Sequence, residues 1–332
     1  MRHVIFGAGA IGGLVGARLH QAGHEVLLIA RGAHHDAIAR DGLTMLTPSE
    51  RETFRLPVVA SAAQAGLRED DVVLLCVKSQ DTWGALVDLR DAAPSPELPV
   101  FCLQNGVENE RAALRLFANT YGALVLVPAE HLEPGVVVGY GAVQSGRIDV
   151  GRIPAGVDQL ASEVSAALAS ARFDSSAREN VMVHKYAKLL NNLGNSVQAI
   201  CDIADRAANA ELVERAKQEG REVLSALRID FEIPAEDDVQ DDWRKRMGAV
   251  DGRAHQGGST WQSVKRGAGA VETDFLNGEI VLLARQIGVQ VPVNQELQEL
   301  ARTMIIEGRQ PGWLTPQQVL SRADGRSTSA AR

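Results

Sequence analysis

Gly7-Ala8-Gly9-Ala10-Ile11-Gly12 constrains this chain more than any other stretch of it. The three glycines follow a short apolar run, His3-Val-Ile-Phe6, and open a segment of helical periodicity from 10 to about 21. In a strand-turn-helix of this kind each glycine has its own task. Gly7 permits the tight turn, Gly9 leaves room for a diphosphate to approach backbone N–H groups, and Gly12 lets the helix lie close on the sheet. The next apolar run, Glu25-Val-Leu-Leu-Ile29, completes a βαβ unit whose helix N-terminus faces the diphosphate of a bound dinucleotide. Ala8, Ala10 and Ile11 belong to the same cradle.

Cofactor choice is set at the end of the second strand, which reads Leu28-Ile29-Ala30-Arg31-Gly32 with no carboxylate before Asp36. A site that selects NAD places Asp or Glu there on the ribose hydroxyls, whereas a guanidinium suits a 2′-phosphate bidentately. Arg31 therefore predicts NADPH. Two later strand ends, Val77-Lys78-Ser79 and Leu103-Gln104-Asn105-Gly106, are expected along the same crevice, because ligands of open α/β sheets bind beyond the carboxyl ends of the strands. Lys78 can reach a phosphate or ribose, and Asn105 offers an amide on the nicotinamide side, where cofactor and substrate meet. Taken alone, Asn105-Gly106 also fits a plain turn.

The rest of the chain extends this pattern into an α/β fold with two domains, as 332 residues allow. Apolar strands are expected over 71–77, 98–103 and 122–127, separated by helices near 82–89 and 108–117, and near-continuous apolar strands require a parallel sheet covered on both faces. The Gly- and Pro-rich stretch 131–152 predicts antiparallel hairpins closing this domain. A helix over about 157–171 and a short strand at 172–174 follow, after which the periodicity is helical, over about 178–193, 208–226, 260–286 and 295–307. Residues 1–174 are thus expected to form a Rossmann-type, NADP-binding domain, and 175–320 an all-helical substrate and dimerisation domain. Residues 233–258, rich in charge and Gly, read as a surface excursion, and 321–332, without apolar periodicity, as a mobile tail.

Composition excludes several classes. Hydrophobic residues at 45% and charged ones at 23% describe a globular protein, and a net charge of −8 lacks the cationic surplus that a nucleic-acid partner demands. Cys76, Cys102 and Cys201 form no C-x-x-C pair, so neither a disulfide framework nor a metal site is expected. No apolar run of membrane-spanning length occurs, and the chain opens directly on a strand; a cytoplasmic location with no membrane partner is the expectation.

Taken together, Gly7-x-Gly9-x-x-Gly12, Arg31, Val77-Lys78, Gln104-Asn105-Gly106, Lys188-Leu-Leu-Asn-Asn192 and Glu272-x-Asp274-x-x-Asn277-Gly278 resemble the ketopantoate reductase (2-dehydropantoate 2-reductase) family, over residues 1 to about 305. The resemblance implies a Rossmann domain, a helical second domain, NADPH as hydride donor, and reduction of a 2-oxo acid to a 2-hydroxy acid, with ketopantoate, of pantothenate biosynthesis, as first substrate. It also implies that Lys188 is the general acid and that Asn residues follow on the same helix face. Lys188, Asn192 and Asn195 stand at i, i+4 and i+7, which places them on one face. As hydride reaches the carbonyl carbon, charge develops on oxygen, and an ammonium there stabilises it and supplies the proton.

The family spaces its second Asn eight residues from the Lys, where this chain has seven; Asn191 could fill one of the roles, and Lys185 is a rival to Lys188. Glu272 matches the family's substrate-site Glu, which would hydrogen-bond the substrate's distal hydroxyl or orient the catalytic Lys, and Ser259 matches the Ser set against the substrate carboxylate, while Asp274 and Asn277 are either supporting partners or surface and capping residues. The strand ending Val125-Leu-Val-Pro128-Ala129 is apolar where many members carry hydroxyls, which admits a bulkier 2-oxo acid. His34 and His35 read as surface residues and His184 as one that could lie near the cleft, none of them as metal ligands. Trp243 and Trp261 flank the excursion and could shape the substrate mouth or a homodimer contact. Other layouts of the same kind are the opine-type and 6-phosphogluconate-type dehydrogenases, and a redox sensor that binds NADP without chemistry; Lys188 with Glu272 speaks against the sensor.

Overall fold

The computed structural model describes residues 1–202, 206–232, 246–255, 257–265, 267 and 269–330. It divides into two compact units, Met1–Lys185 with Ile233–His255, and Tyr186–Glu232 with Gln256–Arg332. The first unit therefore extends eleven residues beyond the sequence boundary at 174 and takes in a later segment. Trp243 and residues 233–245 of the expected excursion lie outside the described residues.

The first unit is built on an eight-stranded sheet. Strands β1 (Arg2–Phe6), β2 (Glu25–Ile29), β5 (Val58–Val59), β6 (Asp71–Leu75), β7 (Val100–Cys102) and β8 (Thr120–Leu126) run parallel, in the order β8-β7-β6-β1-β2-β5. Strand β11 (Gly146–Arg152) pairs antiparallel with β8, and β12 (Phe173–Asp174) lies outside it. Both faces are covered, and the alternation shows it: Val4 and Phe6 join one core with Val73, Leu75, Val100 and Cys102, while Ile5 joins the other with Leu28, Leu74 and Phe101. Burying both faces is what makes the strands read as unbroken apolar runs.

A second, four-stranded sheet was only half legible. Strands β9 (Ala129–Glu133) and β10 (Val136–Gly139) do form an antiparallel hairpin, but they pair with the hairpin β3 (Leu43–Leu46) and β4 (Arg51–Phe54) in the order β4-β3-β10-β9. The join is made by β10 beside β3, ninety residues apart in the chain, a contact that no local pattern announces. Arg18 of helix α1 (Ala10–Gln21), nearly fully buried, reaches toward this sheet, donating to Glu50 Oε2 at 2.5 Å and Ser145 Oγ at 3.0 Å. Helices α2 (Gly32–Asp41), α3 (Thr82–Ala92), α4 (Glu108–Leu114) and α5 (Gln159–Ser170) complete the unit, with Asp158 capping α5 by accepting from the Ala161 N–H at 2.8 Å.

Helix α6 (Val181–Asn192) crosses the unit boundary, and in its described residues the second unit is otherwise helical: α7 (Gly194–Ile200), α8 (Arg206–Ala226), α9 (Ser259–Lys265), α10 (Asn277–Gln286), α11 (Pro292–Glu307) and α12 (Pro316–Ala330). Its buried side chains include Leu190, Leu193, Val197, Leu212, Val223, Ile280, Leu297 and Met304. Two expectations are corrected here. The stretch read as one helix over 260–286 is α9, a 3-10 turn Glu272–Phe275 and α10. The stretch read as a mobile tail is mostly helix α12, because Val319, Leu320 and Ala323 bury against the unit, Asp324 accepts from Arg215 at 2.7 Å and Arg326 pairs with Glu296 at 2.5 Å. Three small apolar positions sufficed once α11 offered a face.

Candidate active site

The parallel register lines up the strand ends. Phe6 stands opposite Ile29 and Leu75, and Leu75 opposite Cys102. One and two residues further on lie Gly7-Ala8, Ala30-Arg31, Cys76-Val77 and Leu103-Gln104, so the glycine turn, Arg31, Lys78 and Asn105 share one edge of the sheet. The turn is tied to the next strand by the N–H groups of Gly7 and Ala8, which donate to the Ile29 carbonyl at 3.0 and 3.2 Å.

The three glycines differ in what surrounds them. Gly7 has φ +101°, and a Cβ on it would come within 2.8 Å of the Val77 side chain and 2.9 Å of the Val77 nitrogen. A Cβ on Gly12 would stand 2.2 Å from the Gly7 carbonyl oxygen. Those two are demanded by the fold itself. Gly9 is different: a Cβ there meets nothing within 4 Å, and α1, which begins after it, has no side-chain cap. The open space over Gly9 and the uncapped N–H groups of α1 fit a dinucleotide diphosphate, which needs room and donors in just this place. Arg31 fits the rest of such a ligand: it is exposed, immediately precedes α2, and no carboxylate pairs with it among the described residues.

Lys78 is half-buried at the start of the 3-10 turn Ser79–Asp81. Asn105 is held by a network that adds Asn109 and Thr82, which the sequence reading did not single out, to Ser79 and Gln104. Asn109 Nδ2 donates to the Asn105 carbonyl at 2.9 Å and Ser79 Oγ to the same oxygen at 3.4 Å; Thr82 Oγ1 donates to Asn109 Oδ1 at 2.7 Å and accepts from Gln104 Nε2 at 2.7 Å. Gly106, with φ +76°, turns the chain away. The corner is thus more than a turn: it is braced by a buried network. Only an Asn, a Thr and a Ser at unremarkable spacing hinted at it.

Lys185, the rival to Lys188, is fully engaged in the first unit. It is 3% exposed, and its ammonium donates to the carbonyls of Gln104 at 2.9 Å and Ala123 at 3.1 Å while pairing with Glu110 at 2.6 Å. Burial pushes the Glu110 carboxyl up, and the ammonium beside it opposes that rise. Lys185 has no free geometry for a proton-donating role.

In the second unit, Lys188 and Asn192 lie one turn apart on α6, both half-buried. Asn191 Oδ1 accepts from the Lys217 ammonium of α8 at 2.9 Å, whereas Asn192 Nδ2 is buried with no partner among the described residues. The helix ends at Asn192, near the bound of 193 expected from the sequence, so the single face expected for Lys188, Asn192 and Asn195 is broken at Leu193. The Leu193 carbonyl accepts from Ser196 Oγ at 3.0 Å and Asn277 Nδ2 at 3.3 Å, and Asn195 falls beyond the break in α7. There Asn195 Nδ2 approaches Ser259 Oγ at 3.5 Å, at the start of α9, with Gly258 so close that a Cβ would lie 2.7 Å from Asn195 Oδ1. Asn195 and Ser259, remote in sequence, are therefore neighbours. Glu272 is half-buried in the 3-10 turn before α10.

The remaining motif residues separate cleanly. Asp274 is exposed and accepts from Gln298 Nε2 at 2.7 Å, a surface contact. Asn277 is fully buried and ties Leu193, Ser196 and Asn294 together, so it supports the helix break. Ser196, eight residues after Lys188 where the family spacing puts its second Asn, is consumed by that network. Trp261 packs beneath the Lys265 ammonium, 4.5 Å from the ring centroid. Among the described residues no cluster of His, Cys, Asp or Glu could hold a metal ion.

A Rossmann-type dinucleotide unit followed by a helical unit carrying Lys, Asn, Ser and Glu at its motif positions defines a nucleotide-dependent oxidoreductase. Residues 3–155 match the family Ketopantoate reductase PanE/ApbA, and residues 180–304 match Ketopantoate reductase PanE/ApbA C terminal. The chain belongs to the ketopantoate reductase PanE/ApbA family. The 2-dehydropantoate 2-reductases of Pyrococcus horikoshii and Archaeoglobus fulgidus are each 29% identical to it, covering 89% and 90% of this chain and 94% and 96% of their own. Among solved structures, a PanE/ApbA family ketopantoate reductase from Ralstonia eutropha JMP134 is 29% identical with a TM-score of 0.77, covering 93% of this chain and all of that one. A D-mandelate dehydrogenase solved with NADH and anilino(oxo)acetate has a TM-score of 0.78 at 22% identity, covering 93% of this chain and 99% of its own, a likeness of fold alone.

Proposed function

We propose that this chain is an NADPH-dependent 2-dehydropantoate 2-reductase, reducing ketopantoate to pantoate in pantothenate biosynthesis. The observation that carries the reading is the open cradle at Gly9 beside the Arg31 guanidinium, which no carboxylate pairs with among the described residues, in a chain of this family whose α6 carries Lys188 one turn from the Asn192 amide, buried with no partner among the described residues. NADPH supplies the hydride. Gly7, Ala8, Gly9, Ala10, Ile11 and Gly12 hold its diphosphate, Arg31 its 2′-phosphate, and Lys78 and Asn105 the part nearer the nicotinamide. Lys188 stabilises charge on the substrate's carbonyl oxygen and donates the proton. Asn192 takes the family's Asn position, since Asn191 is committed to Lys217. Asn195 and Ser259 together suit the substrate carboxylate, and Glu272 its distal hydroxyl.

The test is NADPH oxidation with ketopantoate, with larger apolar 2-oxo acids, and with an amino acid added. Turnover of ketopantoate alone supports the reading; a demand for the amino acid would instead mark an opine-type enzyme, and no turnover with any substrate a sensor. Lys188→Ala should lower kcat by about a hundredfold or more while NADPH still binds. Unchanged turnover would remove Lys188 from the mechanism.

A homodimer is part of this proposal. Leu282, Ile287, Val289 and Ile306 of the helical unit are exposed apolar side chains, Ile306 at 70%. A structural neighbour, the ketopantoate reductase of Staphylococcus aureus, is described as dimeric. Light scattering on the eluted protein decides the point. Among the described residues no helix is long and apolar enough to cross a membrane, and all three cysteines are unpaired, which suits the cytoplasm.

A further inference from the structure

His34 sits where the sequence suggested only a surface residue. It lies in the first turn of α2, three residues after Arg31, and its ring reaches the glycine turn. Nε2 is 2.7 Å from the Ala8 carbonyl oxygen, Nδ1 is 2.9 Å from the Gly135 backbone nitrogen, and His131 Nε2 stands 3.1 Å from the same Nδ1, the two rings meeting edge to face. These partners leave one tautomer. A carbonyl can only accept and a backbone N–H can only donate, so Nε2 carries the proton and Nδ1 accepts. The imidazole therefore spans the turn between β9 and β10 and the middle of the cofactor cradle. Ala8 lies between Gly7, which the fold locks, and Gly9, which it leaves open, so its carbonyl fixes the orientation of the peptide from which Gly9 presents its N–H.

We infer that His34 is a positioning residue for the dinucleotide: by donating Nε2–H to the Ala8 carbonyl, with the Gly135 N–H fixing the tautomer that makes this possible, it holds the glycine turn in the conformation that receives the diphosphate. The inference rests on the proposed reading that a dinucleotide occupies this cradle, and it predicts a pattern distinct from that of Arg31. Arg31 discriminates NADPH from NADH, whereas His34 acts through the turn and serves both alike.

Two amides separate the two bonds. In His34→Gln the Nε2 amide stands where the imidazole Nε2 stood and keeps the Ala8 bond; in His34→Asn the side-chain oxygen replaces Nδ1 and keeps only the Gly135 bond. Dissociation constants for NADPH and NADH, by fluorescence titration of the full-length protein, should rise about tenfold in His34→Asn, equally for both cofactors, and stay near wild type in His34→Gln. The KM for NADPH should follow while kcat at saturating cofactor changes little. Thermal unfolding of both variants without cofactor serves as the check on folding. Equal weakening in the two variants, weakening in neither, or a loss confined to NADPH would overturn the inference while leaving the cofactor reading intact. Binding of neither dinucleotide by the wild-type protein would overturn both.

Discussion

At the scale of single residues, the two glycines of one turn should respond in opposite ways to the same methyl group. Gly12→Ala would set a Cβ 2.2 Å from the Gly7 carbonyl oxygen, which neither backbone can yield, so the variant should lose about 1–3 kcal/mol of stability, read as a lower Tm. Gly9→Ala has open space around it and should unfold at the wild-type temperature, yet bind NADPH roughly tenfold or more weakly, because that space belongs to the diphosphate. A Gly9→Ala protein with full NADPH affinity would place the cofactor elsewhere. Arg31→Asp adds a carboxylate where a 2′-phosphate is proposed to lie; the ratio of NADPH to NADH affinity should fall by on the order of a hundredfold, and an unaltered ratio would show that Arg31 does not read the phosphate.

At the scale of elements, α6 is the segment on which most depends. Its first half is bound into the sheet unit by Lys185, whose charge is neutralised by Glu110 of α4 with both side chains almost wholly buried. Such a pair is costly to break because the survivor is left as a buried charge without a partner. Lys185→Met should therefore destabilise by about 3–5 kcal/mol, and Lys185→Met with Glu110→Leu should recover much of that loss. If the single and double variants melted together, the pair would be idle. Its second half ends where Leu193 gives its carbonyl to Ser196 and Asn277. Gly220 of α8 has its reason here too: a Cβ on it would stand 2.6 Å from the Leu190 side chain, so the helix accepts a poor helix former to let α6 come close.

At the scale of the molecule, stability should depend on pH through a residue that takes no part in the chemistry. His3, the second residue of β1, has no exposed surface, and burial, aided by the nearby His24, pushes its pKa down to about 4 from an ordinary 6.5. Above pH 6.5 neither the folded nor the unfolded chain binds this proton. As pH falls through 6.5 the unfolded chain takes it up while the folded one does not, so stability is lost from 6.5 down to about 4, by on the order of 3 kcal/mol in all. His3→Leu should flatten that part of the profile in urea unfolding measured from pH 7 to 4.5; an unchanged slope would mean that the proton is accommodated in the fold.

Much of this was written locally. The glycine turn, Arg31 and the apolar strands could be read from the chain because each obeys a short-range rule: a turn needs glycine at fixed offsets, and a strand buried on both faces is apolar at every position. The same holds for Lys188 and Asn192, one helical turn apart. Other features were settled only by contacts between distant segments. The β3–β10 pairing, the brace of Ser79, Thr82 and Asn109 behind Asn105, the engagement of Asn191 by Lys217, the approach of Asn195 to Ser259 and the ordering of 316–330 into a helix each depend on what a partner far along the chain presents. A polar side chain declares its type in the sequence, but its role follows from whether burial leaves it a partner, and burial is a property of the folded whole.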